Sequence, residues 1–139
     1  MNRILAVMSD LFFSATINDL AKKFGASLSV VQNEPKFRER LQDQPVMVIF
    51  DLNCATLDPV PLIAEIKSNP ATRAIPVVCF YPHVQAKLAE RAAEAGADGV
   101  LRRSVFADAL PNLLARFGMT SDVPAPSGAA AVLQDDKRA

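Results

Sequence analysis

The chain has 139 residues, half of them hydrophobic and 22% charged, which suits one globular domain with a single sizeable core and excludes a disordered polymer. Lys plus Arg and Asp plus Glu balance at 15 each, so there is no electrostatic footprint for nucleic acid. No apolar run approaches the ~20 residues of a membrane span, the first residues lack the grammar of a signal peptide, and the two cysteines, Cys54 and Cys79, have neither a C-x-x-C spacing nor a His partner. That combination points to reduced, buried thiols in a cytoplasmic protein.

Strand-like and helix-like segments alternate along the chain. Arg3–Met8 is an apolar run that predicts the first strand. Phe13, Ile17, Leu20 and Phe24 then recur at i, i+4, i+7 and i+11, the stripe of an amphipathic helix, and Gly25 follows as its stop. Ser27–Val31 is a short β-rich run, and Asn33 can cap a helix in which Phe37 and Leu41 share a face. Val46–Phe50 predicts the third strand. Asp58-Pro59 pairs a capping carboxylate with proline at the first helical position, and Val60, Ile63 and Ile66 then face inward. Pro76–Phe80 is the fourth strand, Val84, Leu88, Ala92 and Ala95 mark the fourth helix, and Gly96 ends it. Gly99–Leu101 is a short fifth strand, and Ser104 is expected to cap a last helix with the stripe Phe106, Leu110, Leu113 and Phe117. After Gly118 the composition shifts to Pro, Ala, Ser and Asp without a sustained period. Residues 1–118 therefore read as the domain and 119–139 as a mobile tail, in which Ala129–Leu133 can form a helical turn if something docks it.

Five strands alternating with five helices predict an α/β sandwich around a parallel sheet, with strands apolar throughout because helices cover both faces. In such sheets chemistry collects outside the carboxyl ends of the strands. The residue that stands out there is Asp51, which closes the third apolar run, with Asn53 two positions on.

With these elements in place, the chain resembles a response-regulator receiver domain over about residues 3–117. The resemblance is carried by Asp51-Leu52-Asn53, by the stretch from Asn69-Pro70 to Pro76-Val77-Val78, and by Ala95-Gly96-Ala97-Asp98-Gly99-Val100-Leu101. It implies a flavodoxin-like doubly wound fold, five parallel strands in the order 2-1-3-4-5. It also implies a mechanism. An aspartate ending strand three attacks a phosphoryl group. Mg²⁺ is held by that aspartate, by an acidic pair after strand one and by a backbone carbonyl past the acceptor. A Thr or Ser after strand four and a Lys after strand five contact the phosphoryl oxygens.

Carried over by position, Asp51 is the phosphoacceptor and Asn53 supplies the metal-binding carbonyl. The acidic pair falls on Met8-Ser9, or on Ser9-Asp10 after a shift of one residue, so at most one carboxylate remains. Tyr81 takes the Thr/Ser position and fills the vacated pocket. Arg103 takes the Lys position, keeping the charge on a larger, planar group. Pro59 replaces a glycine, Ser104 a proline, and Val100 stands where many receivers carry an aromatic switch residue. The loss of carboxylates removes most of the electrostatic reason for Mg²⁺ to bind, and Arg103 is expected to pair with Asp51 in its place. If any metal bound, its donors would be Asp10, Asp51 and Asn53.

Ser9 and Asp10 also read as helix caps, and His83 as a solvated loop residue. No Ser-His-Asp set, Gly-rich phosphate loop or metal cluster appears, so no enzyme is expected. Three functions stay open. The first is an atypical receiver that binds proteins without Mg²⁺-dependent phosphorylation and needs no cofactor. Its partner would be a histidine kinase or a downstream effector, or a second copy meeting it across helix four, strand five and helix five. The second is a working phosphoacceptor of a two-component phosphorelay. The third is small-anion binding at the Asp10/Arg103 end, with Arg102 nearby.

Overall fold

The computed structural model describes residues 2–54, 56–81 and 86–116. The elements run β1 (Asn2–Val7), α1 (Leu11–Lys22), β2 (Ala26–Val31), α2 (Glu34–Leu41), β3 (Met47–Asp51), α3 (Pro59–Ser68), β4 (Val77–Tyr81), α4 (Ala86–Glu94), β5 (Gly99–Arg102) and α5 (Arg103–Arg116). The five strands pair in parallel in the order β2-β1-β3-β4-β5, the topology expected from the sequence. No helix of the described residues is long and apolar enough to cross a membrane.

Side chains alternate across each strand, so the sheet builds two cores. Ile4, Ala6, Ile49, Val78, Phe80 and Leu101 face α1 and α5, where Ile17, Ala21, Phe106, Leu110 and Leu113 meet them. Leu5, Val7, Val48, Phe50 and Cys79 face the other way, against Phe37 of α2, Leu62, Ile63 and Ile66 of α3, and Ala92 of α4. Strands covered on both faces have no polar side, which is why they read as unbroken apolar runs.

Helix starts follow their caps. The carboxylate of Asp10 accepts from the Phe13 amide at 3.0 Å, Asn33 accepts from the Lys36 amide at 2.9 Å, and Asp58 accepts from the Val60 amide at 3.3 Å. Ser104 does not cap the last helix. The chain passes from β5 straight into α5 at Arg103, and Ser104 lies inside the first turn. In α3 the inward residues are Leu62, Ile63 and Ile66, while Val60 is only half-buried. The expected strands three and four shift by one residue, so Asp51 and Tyr81 are the last residues of β3 and β4. Val84 and His83, Phe117 and the tail from 119 lie outside the described residues.

Candidate functional site

Because all strands are parallel, their carboxyl ends share one edge. Ser9 and Asp10 sit there between β1 and α1, Asp51 ends β3, Asn53 follows in the turn, Tyr81 ends β4, and Arg103 opens α5. The structure thus gathers the six residues singled out from the sequence at one edge, but not with the partners expected.

Asp10 has both carboxylate oxygens engaged. Oδ1 accepts from the Phe13 amide as the N-cap of α1, and Oδ2 is ion-paired with Nη2 of Arg103. The Phe13 amide, and after it the Arg103 guanidinium, hold this carboxyl below its ordinary pKa. The guanidinium also lies over the Phe13 ring, 4.3 Å from its centroid, as a cation on an aromatic face does. Phe13 is fixed in turn by an edge contact with Phe80 at 5.0 Å and by Phe106 at 6.0 Å.

Asp51 is half-buried, and its Oδ1 accepts from the Asn53 amide at 2.9 Å. Burial pushes its carboxyl above the ordinary value, while the Asn53 amide and the charge of Arg103 pull it partly back. The expected Asp51–Arg103 ion pair is not formed. Arg103 is drawn to Asp10 because α1 and α5 pack on the same face of the sheet, and Phe13 provides the surface on which the guanidinium rests.

Tyr81 also departs from expectation. In β4, Phe80 takes the face that Asp51 shares with Ile49, so by alternation the Tyr81 ring is sent to the other side. There it is buried in the core of α3 and α4 together with Leu88, Ala92 and Val100. It does not fill the space beside Asp51.

One part of the site had no sequence signal beyond small polar residues in loops. The Ser9 hydroxyl lies 3.7 Å from Cys54 Sγ, which lies 3.3 Å from the Thr56 hydroxyl, and that hydroxyl donates to the Gln32 carbonyl. This relay ties the β1–α1 loop to the β3–α3 loop. Cys54 and Cys79 are free and buried, and burial pushes the Cys79 thiol far up.

A divalent ion at this edge would draw on Asp10, Asp51 and the Asn53 carbonyl. Mg²⁺ needs a near-octahedral shell of oxygen ligands. Each Asp10 oxygen already has a partner, Arg103 places on that carboxylate a positive charge that repels a cation, and the Ser9 hydroxyl is turned to Cys54. As placed, the donors do not fit the ion. Among the described residues no other group of three His, Cys, Asp or Glu side chains could replace them.

No family model matches the sequence. No curated protein matches it either. Solved structures do. A signal receiver domain of a DNA-binding response regulator from Colwellia psychrerythraea 34H superposes with a TM-score of 0.70 at 20% identity, covering 83% of this chain and 99% of its own. The Mn²⁺-bound response regulator Rcp1 gives 0.71 at 20% identity, over 91% and 100%. The receiver domain of the sensor histidine kinase PA1611 from Pseudomonas aeruginosa PAO1, with magnesium coordinated in its active-site cleft, gives 0.71 at 18% identity, over 84% and 96%. With its strand order, its five helices and these neighbours, the chain has the fold of the response-regulator receiver domains.

Proposed function

We propose that this protein is a signalling module of the two-component type that works by binding other proteins, without Mg²⁺-dependent phosphorylation of Asp51. The observation that carries this reading is the clasp between Asp10 and Arg103. The one carboxylate that remains beside Asp51 to bind a metal is spent on a helix cap and a guanidinium. Without a divalent ion, a phosphoryl group on Asp51 would lie beside the Asp10 carboxylate with little to neutralise it. The partner is a histidine kinase or an effector protein. The face formed by α4, β5 and α5 offers exposed charges of both signs, among them Lys87, Glu90, Arg91, Glu94 and Asp108, a mixture that suits a two-fold contact between copies.

Incubation with acetyl phosphate and millimolar Mg²⁺, followed by intact mass, should give no phosphoryl adduct. An adduct that disappears in Asp51→Asn overturns the reading in favour of a phosphoacceptor, the alternative supported by the magnesium in the P. aeruginosa neighbour. Arg103→Ala frees one Asp10 oxygen. In that variant Mg²⁺ should shift the amides of Asp51 and Asn53, and in the wild type it should not. Small-anion binding is less favoured, because the guanidinium of Arg103 is already held by Asp10.

A further inference from the structure

The two edges of the sheet differ. β5 has four residues, is buried along Gly99–Leu101 and ends in Arg102. β2 has six residues, of which Ser27, Leu28 and Ser29 are only half-buried and Val30 is 37% exposed. It reads Ala-Ser-Leu-Ser-Val-Val, without a charge or a proline. Edge strands that stay single carry such guards, because their free N–H and C=O groups accept any strand that arrives. β2 pairs with β1 along its whole length. The Val31 carbonyl accepts from the Met8 amide at 3.2 Å, so Val31 serves the β1 side, and by alternation so do Ser29 and Ser27. The amides and carbonyls of Leu28 and Val30 therefore point away from the sheet. Among the described residues no turn or loop hydrogen bond between backbone groups reaches them.

We propose that this edge pairs with the same edge of a second copy of the chain, antiparallel about a two-fold axis, so that two five-stranded sheets join into one. Of the strands a second copy brings, β1, β3 and β4 are paired on both sides, and β5 is shorter and buried. Its β2 matches in length, and a β2–β2 contact closes on itself where a β2–β5 contact would run on into a filament. With Leu28 opposite its copy, Val30 stands opposite Ala26, so outward backbone groups meet outward backbone groups. Ala26 and Leu28 belong to the α1 side of the sheet, and Val30 shares that face by alternation. Their apolar row then continues across the axis, while on the other face Ser27 meets Ser29. Charge sets the direction. The exposed Lys22 and Lys23 precede the strand, and Asp19 offsets only one of them. Glu34 follows it, and Arg38 lies between Glu34 and Glu65, which leaves that cluster negative. Antiparallel pairing brings the start of each strand to the end of the other, whereas parallel pairing would put like ends together. None of these residues lies on α4, β5 or α5, and the contact does not depend on the state of Asp51, so it stands or falls separately from the proposed function.

Sedimentation of the full chain at rising concentration, with amide hydrogen exchange at the same concentrations, tests this. The mass should double, and exchange at Leu28 and Val30 should slow severalfold as it does. The amides of Ser29 and Val31, bonded to β1, should be protected throughout. Val30→Lys places a charge on the open edge at an exposed position. It should keep the chain monomeric, with Ser29 and Val31 still protected to show that the sheet is intact. Arg91→Glu on α4 should leave the dimer unchanged. A chain that stays monomeric at the concentrations used for NMR overturns the proposal. So does a dimer in which Leu28 and Val30 exchange as fast as in the monomer, one that survives Val30→Lys, or one abolished by Arg91→Glu. Growth past the dimer into filaments also overturns it, because a two-fold contact closes.

Discussion

Two carboxylates at the same sheet edge are pushed in opposite directions, and the difference has consequences for stability. Asp51 ionises at higher pH when folded than its ordinary 3.8, because burial disfavours its charge. Wherever the carboxyl is ionised in both states, only the native state bears the cost of burying that charge. Asp51→Asn keeps an acceptor for the Asn53 amide and removes that charge. Melting at pH 7 should rise, and the gain should vanish as pH falls through the native carboxyl's pKa to the unfolded value. Thermal melts across that range check it, and a gain equal at every pH contradicts it. Asp10 has the reverse sign. Its folded pKa is depressed, so its contribution is present above the unfolded value and is lost in acid. Asp10→Asn should melt lower than the wild type at neutral pH, with the deficit fading as acid protonates the wild-type carboxyl.

At the scale of elements, Lys67 joins segments that are distant in sequence. From the end of α3, its Nζ reaches the Ile75 carbonyl at 2.7 Å, the Arg73 carbonyl at 3.1 Å and the Asp98 carboxylate at 2.6 Å. Asp98 also accepts from the Val77 amide at 2.8 Å, so one contact set positions the starts of both β4 and β5. Lys67→Met keeps the stem and leaves these acceptors short of a donor. It should cost about 1–2 kcal/mol, read as a lower urea midpoint at unchanged slope. Gly96 lies against the same stem. Its φ is +110°, and a Cβ there would stand 3.0 Å from Lys67 Cγ. Gly96→Ala should destabilise by ~1–3 kcal/mol by denaturant melt, through backbone strain and crowding together. The glycine was legible as a helix stop because its special backbone is a property of the residue itself. The role of Lys67 was not, since its partners come from two other loops.

At the scale of the whole molecule, the two faces of the sheet do different work. Phe50 packs on Phe37 in the core of α2 and α3, with ring centroids 5.6 Å apart. Phe80 packs on Phe13 and Phe106 beneath the Arg103 guanidinium. Phe→Leu at either position should destabilise by about 1–3 kcal/mol. Only Phe80→Leu should move the Arg103 side-chain N–H resonance and weaken its pairing with Asp10, because Phe80 touches the Phe13 seat and Phe50 lies in the other core. A spectrum in which both variants, or neither, move that resonance would show that the clasp does not rest on the aromatic stack. The strand order follows from chain-level rules. Alternating elements with short connections and apolar strands leave few arrangements of a parallel sheet, and the expected order is the one found.

By itself the sequence determined the alternation of elements, the caps at Asp10, Asn33 and Asp58, and the place of Asp51 at the end of a buried strand. These are local properties, written in periodicity and in the chemistry of single residues. It also determined that few carboxylates remain around Asp51. Only the tertiary structure decided how the remaining groups pair. Arg103 turns to Asp10 and not to Asp51 because α1 and α5 share a face of the sheet and Phe13 lies beneath the guanidinium. Tyr81 enters the α4 core because strand alternation gives the other face to Phe80. Cys54 links two loops because the fold brings Ser9 and Thr56 to it. Each of these choices rests on distances between residues far apart in the chain, which no local pattern encodes.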